Sequence, residues 1–340
     1  MTPNSSGSWC ERDGGPVVSP DRLWIVCPSY DDVVSFTMLR KRVLEVMRDE
    51  HVDRPVRFVV VDDTGDNDEE IGDLDSLDDV RVVTPPFNLG HQRALVYGLR
   101  TIAPELDDDD VVVTMDADGE DRPEDLPRML APLLAAPAQH HALCVARRTR
   151  RRESFRFKVM YFFFRLMFRV LTGQTVRSGN YAAYRGWLAR RMLRHPYFDL
   201  CYSASLVSLD IPVTLVPCPR GERYAGRSRM NSFRLFMHGL RMLMPFTDRI
   251  AVRALVAFSA VFGLGVVGSL VVVAVRLFTT AAIPGWATTS LISIVILSFL
   301  ALSNFVVLFV VFSHSRGLSL AGLEDGWSET SAPGPSSPQE

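Results

Sequence analysis

The sequence predicts an α/β fold, a mostly parallel β-sheet with flanking helices, followed by two membrane-spanning helices. First, short β-branched runs alternate with helical patterns from Leu23 onward, which is typical of consecutive βαβ units. Second, polar and acidic residues follow the apolar runs directly, so they collect at one edge of the predicted sheet. Third, two long uncharged segments lie near the C-terminus. Together these observations predict a ligand-binding domain attached to a membrane.

Composition and charge limit the function classes before any motif is considered. The chain has 340 residues, enough for one large domain with appendages, and a formal net charge of -2. A chain this close to neutrality is not expected to bind nucleic acid in general. Its five cysteines form no CxxC pair, which favours reduced buried thiols over a disulfide framework or a zinc site.

Composition also divides the chain into four regions. Residues 1–21 are polar and lack the apolar core of a signal peptide, so we expect a disordered leader. Residues 22–245 carry the α/β pattern, and residues 246–316 carry the two predicted spans. Residues 317–340 form a tail that is rich in Ser, Pro and Gly towards its end, and we expect it to be disordered.

The secondary-structure pattern is regular in the first half of the chain. Five apolar runs are predicted as strands, over residues 23–27, 56–61, 80–83, 111–115 and 142–146. Helices are predicted between them, over residues 33–48, 93–101 and 123–134. In the first helix, Val34, Met38, Val43 and Met47 recur on one side, which is helical spacing.

The segment 111–125, VVVTMDADGEDRPED, carries the clearest chemistry. An apolar strand runs directly into Asp116, Asp118 and Glu120, and Pro123 then marks a helix start. Asp116 and Asp118 are separated by one residue, so their carboxylates can converge on one cation. Hard oxygen ligands of this kind suit Mg²⁺ or Mn²⁺ shared with substrate phosphates. The alternative is an acidic turn with a helix cap, which the preceding strand and the third acid disfavour.

Several motifs in chain order carry a family resemblance. They are Cys27-Pro28-Ser29-Tyr30, Val61-Asp62-Asp63, Asn88-Leu89-Gly90 and Met115-Asp116-Ala117-Asp118. In order and spacing they resemble the family 2 glycosyltransferases, enzymes of GT-A fold that use nucleotide-diphospho-sugars. Residues 220–230 resemble the R-x-x-G-x-S-K-M segment of the branch with dolichol- and polyprenyl-phosphate sugar synthases. The resemblance covers about residues 23–243 and implies a GT-A-like domain and an inverting hexosyltransferase.

The resemblance also implies roles for individual residues. Those implied to bind the nucleotide sugar are Pro28, Ser29, Tyr30, Asp32, Asp62, Arg93 and Asp116. Those implied to hold Mg²⁺ or Mn²⁺ are Asp116, Asp118 and Glu120, the last standing where many relatives carry Gln. Those implied to bind the acceptor are Arg177, Arg223, Ser228 and Arg229. Asp118, Arg223 and Arg229 are the residues implied for catalysis.

Some of these positions have a purely structural explanation as well. Asp62 and Asp63 can form an exposed acidic turn, and Asn88 and Gly90 can serve as turn and helix-start residues. The segment 176–178 contains no acid where many polyprenyl-phosphate relatives carry an Asp, so no catalytic Asp is assigned there.

The acceptor is expected to be a phosphate group on a lipid, most simply a polyprenyl phosphate. A phosphate monoester is mostly ionised near neutral pH and needs no general base. Arginine suits bidentate phosphate contact, and the acceptor segment or its surroundings offer Arg177, Arg223, Arg227 and Arg229, of which Arg223 and Arg229 are expected to be the main contacts. One alternative acceptor is a hydroxyl of another lipid or glycan, with Asp199 or Asp121 as the base. A different alternative is an inactive membrane scaffold with the same fold.

Three further segments predict attachment to a membrane. Residues 153–172 combine many aromatics with spaced Arg and Lys, which suits a helix at the membrane interface or one packed on the domain. Residues 254–275 and 288–312 carry no charge and are long enough to span, the alternative being a buried helical pair in a soluble protein. Few Lys and Arg lie between them and many flank them, so we expect an integral protein of the cell (inner) membrane with the catalytic domain and both termini cytoplasmic. The sequence leaves the oligomeric state open, with a homo-oligomer among the options.

Overall fold

The computed structural model describes residues 21–52, 54–135, 143–148, 155–175, 179–209, 211–225, 232–279 and 285–314. Within these ranges the chain forms an α/β domain followed by two long helices. Most of the predicted leader and all of the predicted tail lie outside the described residues. So do Arg177, Ser228 and Arg229, which were predicted as acceptor-binding residues.

The described strands form one seven-stranded sheet. They are β1 Leu23–Ser29, β2 Val56–Asp62, β3 Val80–Val83, β4 Val111–Thr114, β5 Leu143–Arg148, β6 Ala182–Arg185 and β7 Val213–Cys218. The order across the sheet is β3-β2-β1-β4-β6-β5-β7. β6 is antiparallel to both of its neighbours, and the other pairings are parallel. The predicted mostly parallel sheet is therefore confirmed, with two strands that the sequence did not predict.

Helices cover both faces of this sheet, and two long helices follow the domain. The described α-helices are α1 Val33–Asp49, α2 His91–Ile102, α3 Leu126–Ala135, α4 Phe155–Thr172, α5 Gly186–Met192, α6 Tyr202–Ser208, α7 Ser232–Arg241, α8 Thr247–Phe278 and α9 Trp286–His314. The second predicted helix begins at His91 rather than Arg93, because Gly90 takes a positive φ of 79° and acts as its N-cap. The helix predicted over 123–134 starts with one 3₁₀ turn and continues as α3.

The core has two apolar layers, one on each face of the sheet. In β1, Leu23, Ile25 and Cys27 belong to the layer that includes α1 and α3, whereas Trp24 and Val26 belong to the layer that includes α2 and α5. A strand covered on both faces needs an unbroken apolar run, which is what the sequence shows here. Full burial of one such aliphatic side chain contributes about 1.5–3 kcal/mol to stability.

The buried side of α1 differs from the side that the sequence suggested. The helix itself is confirmed, but the side chains of Val34 and Met38 are 56% and 47% exposed. Phe36, Leu39 and Val43 occupy its buried side. Phe36 makes an edge-on contact with a phenylalanine ring of β2, and this contact sets which side of the helix faces the sheet.

The two C-terminal helices are long and apolar enough to cross a membrane. They contain the predicted spans 254–275 and 288–312. Only 6% of the most apolar window of the first helix and 11% of that of the second are buried. The pair is therefore not a buried core of the described protein. The helices approach closely at Gly265, where an added Cβ would lie 1.8 Å from Ser298 Oγ.

Helix α4 packs one side against the rest of the chain and exposes the other. Phe168 is buried and meets Phe246 edge-on at 5.4 Å between ring centroids. Phe162 and Phe163 lie on the other side and are 63% and 62% exposed. Arg253 of α8 donates a hydrogen bond of 2.9 Å to a main-chain carbonyl near the end of α4. The end of α4 therefore lies beside the start of the first long apolar helix.

Candidate active site

The acidic loop, residues 116–121, emerges where the buried strand β4 ends at the carboxyl edge of the sheet. Its carboxylates fix its own backbone. Asp121 Oδ2 accepts a hydrogen bond of 3.0 Å from the Asp116 N–H, and Asp118 Oδ1 accepts one of 2.9 Å from the Glu120 N–H. Gly119 supplies a positive φ of 88° between them, which an L side chain rarely adopts. The loop is thus a defined structure, and its remaining carboxylate oxygens are available for other contacts.

The strap, residues 220–224, follows β7 and lies directly on the acidic loop. The Gly221 N–H donates to the Glu120 carbonyl at 2.9 Å, and the Tyr224 N–H donates to the Asp118 carbonyl at 2.9 Å. A Cβ on Gly221 would lie 2.1 Å from the Gly119 carbonyl oxygen, so only glycine fits at this crossing. The contact joins two segments that are about a hundred residues apart in sequence.

Arginines from the strap face the carboxylates of the loop. Arg223 Nη2 lies 2.7 Å from Asp118 Oδ2, and its Nε donates to Glu120 Oε1 at 2.9 Å. Arg220 contacts both oxygens of Glu120, with Nη2 2.6 Å from Oε2. The Glu120 side chain is only 10% exposed, so these charge-assisted hydrogen bonds are largely shielded from water.

A third arginine reaches the loop from the end of β5. Arg148 Nη2 donates to Asp121 Oδ1 at 2.9 Å, and its Nη1 donates to Glu120 Oε2 at 3.3 Å. The guanidinium of Arg148 thus joins β5 to the acidic loop.

The acids of the loop influence one another electrostatically. Burial opposes ionisation of Asp116, yet His91 and Arg148 hold the pKa of this carboxyl well below its ordinary range. Burial and repulsion from Asp116 raise the pKa of Asp118. Burial and the same repulsion raise the pKa of Asp121 to about 7. Negative charge is thus crowded around Asp116, an arrangement that a cation stabilises.

The donor set fits a divalent cation that is shared with a substrate. Asp116 and Asp118 offer hard carboxylate oxygens, and their side chains are 20% and 14% exposed. Within the described residues, no group of three His, Cys, Asp or Glu side chains is arranged to hold an ion by itself. Water or the phosphate oxygens of a substrate would complete the coordination.

A polar network that the sequence did not reveal holds Asp116 from the other side. His91 Nε2 lies 3.0 Å from Asp116 Oδ1, and Asn180 Nδ2 lies 2.6 Å from the same His91 nitrogen. Gln92 donates to Asn180 Oδ1, and the Ser203 N–H donates to Gln92 Oε1 at 3.0 Å. The sequence hinted at this network only through the position of His91 and Gln92 directly after Asn-Leu-Gly. It gave no sign of Asn180, which lies 88 residues beyond Gln92.

The ends of β1 and β2 form a second part of the site. Ser29 lies opposite Asp62 in the parallel register, and both are buried. Asp62 Oδ1 accepts from the N–H and the Oγ1 of Thr64, at 3.0 and 2.6 Å. Asp62 Oδ2 and Ser29 Oγ are buried without a hydrogen-bond partner among the described residues. Asp62 and Asp63 are 0% and 4% exposed, so an exposed acidic turn is the wrong interpretation.

The neighbouring Asn-Leu-Gly turn has the structural role that the sequence left open. Asn88 Nδ2 donates to the Asp63 carbonyl at 2.8 Å, and Asp63 Oδ1 accepts from the Leu89 N–H at 2.6 Å. Gly90 then starts α2. The turn thereby positions His91 next to Asp116.

The other predicted nucleotide-binding residues surround the end of β1. Pro28 is buried within the strand, and Tyr30 just after it is 45% exposed. Asp32 is the N-cap of α1, but its side chain makes no capping hydrogen bond. Arg93 is exposed in the first turn of α2. These residues lie around one edge of the sheet. The side chains that contact the acidic loop directly are instead those of the His91 network and of Arg148, Arg220 and Arg223.

Asp199, the alternative general base, lies away from the acidic loop. Its carboxylate is 52% exposed and forms an ion pair of 2.9 Å with Arg100. Arg100 follows His91 by nine residues in α2, which is about 13 Å along the helix axis. The side chain of Asp199 thus turns outward and meets an arginine at the far end of α2.

Comparisons with known proteins agree with this architecture. Residues 24–192 match the family model described as Glycosyl transferase family 2. No curated protein sequence matches the chain. Glucosyl-3-phosphoglycerate synthase from Mycobacterium tuberculosis, solved with Mn²⁺, UDP and glucosyl-3-phosphoglycerate, is similar at 18% identity and a TM-score of 0.48, over 68% of this chain and 80% of that chain. Mannosyl-3-phosphoglycerate synthase from Rubrobacter xylanophilus is similar at 15% identity and a TM-score of 0.45, over 67% and 74% of the two chains.

The family match is the finding that identifies the domain. It runs from β1 to the end of α5 and includes the acidic loop together with Asp62 and His91. Through its α/β domain of GT-A-like architecture, this chain belongs to glycosyl transferase family 2.

Proposed function

We propose that this protein is a membrane-anchored glycosyltransferase that moves a sugar from a nucleotide-diphospho-sugar to a phosphate group on a lipid, with inversion at the sugar carbon. The observation that carries the proposal is the arginine-bearing strap on the acidic loop, in a domain joined to two long exposed apolar helices. The loop suits a metal and a diphosphate, the strap suits a second phosphate, and the helices suit a lipid environment.

The donor nucleoside would bind at the ends of β1 and β2. Among the described residues, Asp62 Oδ2 is a buried acceptor without a hydrogen-bond partner, and an N–H of a nucleobase or a ribose hydroxyl can supply the missing donor. Ser29 Oγ beside it has no hydrogen-bond partner in this part of the chain either. Asp32 has no capping bond to give up, and Tyr30 offers an exposed ring. These features support the nucleoside role of the residues along this edge.

The diphosphate would lie over the acidic loop. Asp116 and Asp118 would hold Mg²⁺ or Mn²⁺, which when bound supplies positive charge to the leaving diphosphate. The network of His91 and Asn180 keeps the Asp116 carboxylate in one orientation. Exposed Arg93, two residues after His91, is placed to add a further positive charge.

The acceptor phosphate would bind to the strap. Arg223 uses Nε and Nη2 for Glu120 and Asp118, which leaves Nη1 without a contact among the described residues. A guanidinium that is fixed along one edge can offer its other edge to a phosphate with little further loss of entropy. We extend this role to Arg177, Ser228 and Arg229, which the sequence puts in or near the same acceptor segment.

A hydroxyl acceptor is the second candidate, and the geometry supports it less. Asp199 lies away from the acidic loop in an exposed ion pair with Arg100. Asp121 is 3% exposed, and its two oxygens are bonded to Arg148 and to the Asp116 N–H. Neither carboxylate is placed to take a proton from a substrate without breaking these contacts.

Purified enzyme offered a polyprenyl phosphate and the matching polyprenol distinguishes the two acceptor classes. With a panel of radiolabelled sugar nucleotides and Mn²⁺, we expect label in the lipid fraction only with the phosphate. A variant with alanine at Arg223 should raise the KM for the lipid phosphate at least about tenfold and leave the donor KM nearly unchanged, because a hydrogen bond to a charged group contributes about 1.5–3 kcal/mol. Transfer to neither lipid, with turnover on a hydroxyl-bearing glycolipid, would instead establish the second candidate. No transfer and no donor hydrolysis under any condition would indicate an inactive scaffold.

The membrane orientation is a separate part of the proposal. Helices α8 and α9 would span the cell membrane, and the exposed aromatics of α4 would lie at its cytoplasmic surface. The scarcity of Lys and Arg between the two spans supports an external loop, with the catalytic domain and both termini in the cytoplasm.

Cysteine labelling tests this orientation. In a cysteine-free background, Thr288→Cys should react with a membrane-impermeant thiol reagent in intact cells, whereas Ser336→Cys should react only after the cells are opened. The reason is that residue 288 lies at the start of α9 next to the external loop, and residue 336 lies in the cytoplasmic tail. The reverse labelling pattern would show that the protein has the opposite orientation.

A further inference from the structure

Glu120 is the point at which three guanidinium groups meet. Its two carboxylate oxygens accept hydrogen bonds from Arg220, Arg223 and Arg148. Its main-chain carbonyl accepts a further hydrogen bond from the Gly221 N–H. The side chain therefore links the acidic loop to the strap and to the end of β5. The shielding of this cluster from water makes each of its charged contacts stronger than on an open surface.

The orientation of Arg223 depends on this carboxylate. Its Nε donates to Glu120 Oε1, while its Nη2 pairs with Asp118 Oδ2. If a metal bound Asp118, it would compete with the contact between Asp118 and Arg223. The contact with Glu120 would then still hold the guanidinium plane of Arg223. Without Glu120, three neighbouring cations would repel one another and Arg223 would lose its fixed direction.

The same contacts argue against Glu120 as a metal ligand, the role that the sequence suggested. Both of its oxygens are bonded to guanidinium groups, and a metal could take one only by breaking charge-assisted hydrogen bonds. An amide at this position would lack the charge to balance three arginines and would point N–H groups towards them.

We propose that Glu120 is a positioning residue that orients Arg220 and Arg223 towards the acceptor phosphate, and that it is not a ligand of the metal. The acceptor part of this inference rests on the proposed function, whereas the part on the metal does not. Glu124 provides a matched control, because it follows the same loop and its carboxylate also pairs with arginines, Arg42 at 2.8 Å and Arg122 at 3.5 Å.

The test compares Glu120→Gln with Glu124→Gln in the purified full-length protein. For Glu120→Gln we expect the acceptor KM to rise about tenfold, the equivalent of 1.4 kcal/mol, with kcat at saturating acceptor within about threefold of wild type. The Kd for Mn²⁺, measured by electron paramagnetic resonance without substrates, should change less than about threefold. Hydrogen exchange of the strap amides should become faster, because the strap loses its link to the side chain. Glu124→Gln should change none of these quantities.

Three outcomes would overturn the proposal. The first is a tenfold weaker affinity of Glu120→Gln for Mn²⁺, and the second is that this variant keeps the wild-type acceptor KM and the wild-type hydrogen exchange of the strap. The third is that Glu124→Gln changes the same quantities as much as Glu120→Gln does. If Glu120→Gln fails to fold, Arg220→Gln takes its place, with the same expected rise in acceptor KM and the same unchanged affinity for Mn²⁺. If the wild type uses no lipid phosphate, the proposed function fails, but Mn²⁺ affinity and strap exchange still test whether Glu120 binds metal or orients the strap.

Discussion

Asp118→Asn is expected to lower the rate of sugar transfer at least about 100-fold, the order attributed to the loss of one strong electrostatic stabiliser in an active site. A neutral amide is a poorer ligand for a hard dication than a carboxylate. The fold should persist, because the substitution also removes the repulsion between Asp118 and Asp116 that raises the pKa of Asp118. We expect a change in stability below about 1 kcal/mol, or about 2–4 °C in Tm for a domain of this size.

The measurement is the initial rate of transfer with saturating donor and Mn²⁺, together with the Tm of each variant. Asp199→Asn is the control, because it also neutralises one ion-paired aspartate but lies away from the acidic loop. It should retain nearly full activity. Full activity of Asp118→Asn, or of wild type in excess EDTA, would contradict the assignment of a metal to this loop.

Gly221→Ala should also lower activity strongly, by about 100-fold, although it removes no functional group. The added Cβ would lie 2.1 Å from the Gly119 carbonyl oxygen and 2.9 Å from the Arg122 side chain, so the strap has to move away from the acidic loop. Such overpacking costs about 1–3 kcal/mol, and a displacement of about 1 Å at an active site can lower a rate about 100-fold. Arg223 would move with the strap and lose its contact with Asp118.

Gly72→Ala is the matched control, because an added Cβ there meets nothing within 4 Å. It should leave transfer unchanged. Hydrogen exchange of Gly221 and Tyr224 amides should rise only in Gly221→Ala. Normal activity of this variant would show that the strap does not have to lie on the loop during the reaction.

The fold and the main carboxylates followed from the sequence because their signals are local. Strands β1 and β4 and residues 58–61 of β2 are buried on both faces, so each reads as an unbroken apolar run. Parallel strands end at a common edge, so the acids that follow them had to collect there, and Asp116 and Asp118 do lie at that edge. Strand β6 was missed because Ala-Ala-Tyr-Arg is short and weakly strand-forming. Strand β7 was missed because Pro217 lies within it, and a proline inside an apolar run argues against a strand.

The sequence by itself thus determined the α/β architecture, the acidic loop, the apolar helices and, through the order of its motifs, the family. Only the tertiary structure decided what each polar group contacts. It brought Arg220 onto Glu120 and Asn180 onto Asp116, across separations of 100 and 64 residues. It also placed the carboxylate of Glu120, a predicted metal ligand, in contact with three arginines. The physical reason is that the burial of a strand shows in its own consecutive residues. The contacts of the polar groups depend instead on the order of strands in the sheet and on the path of the strap across it.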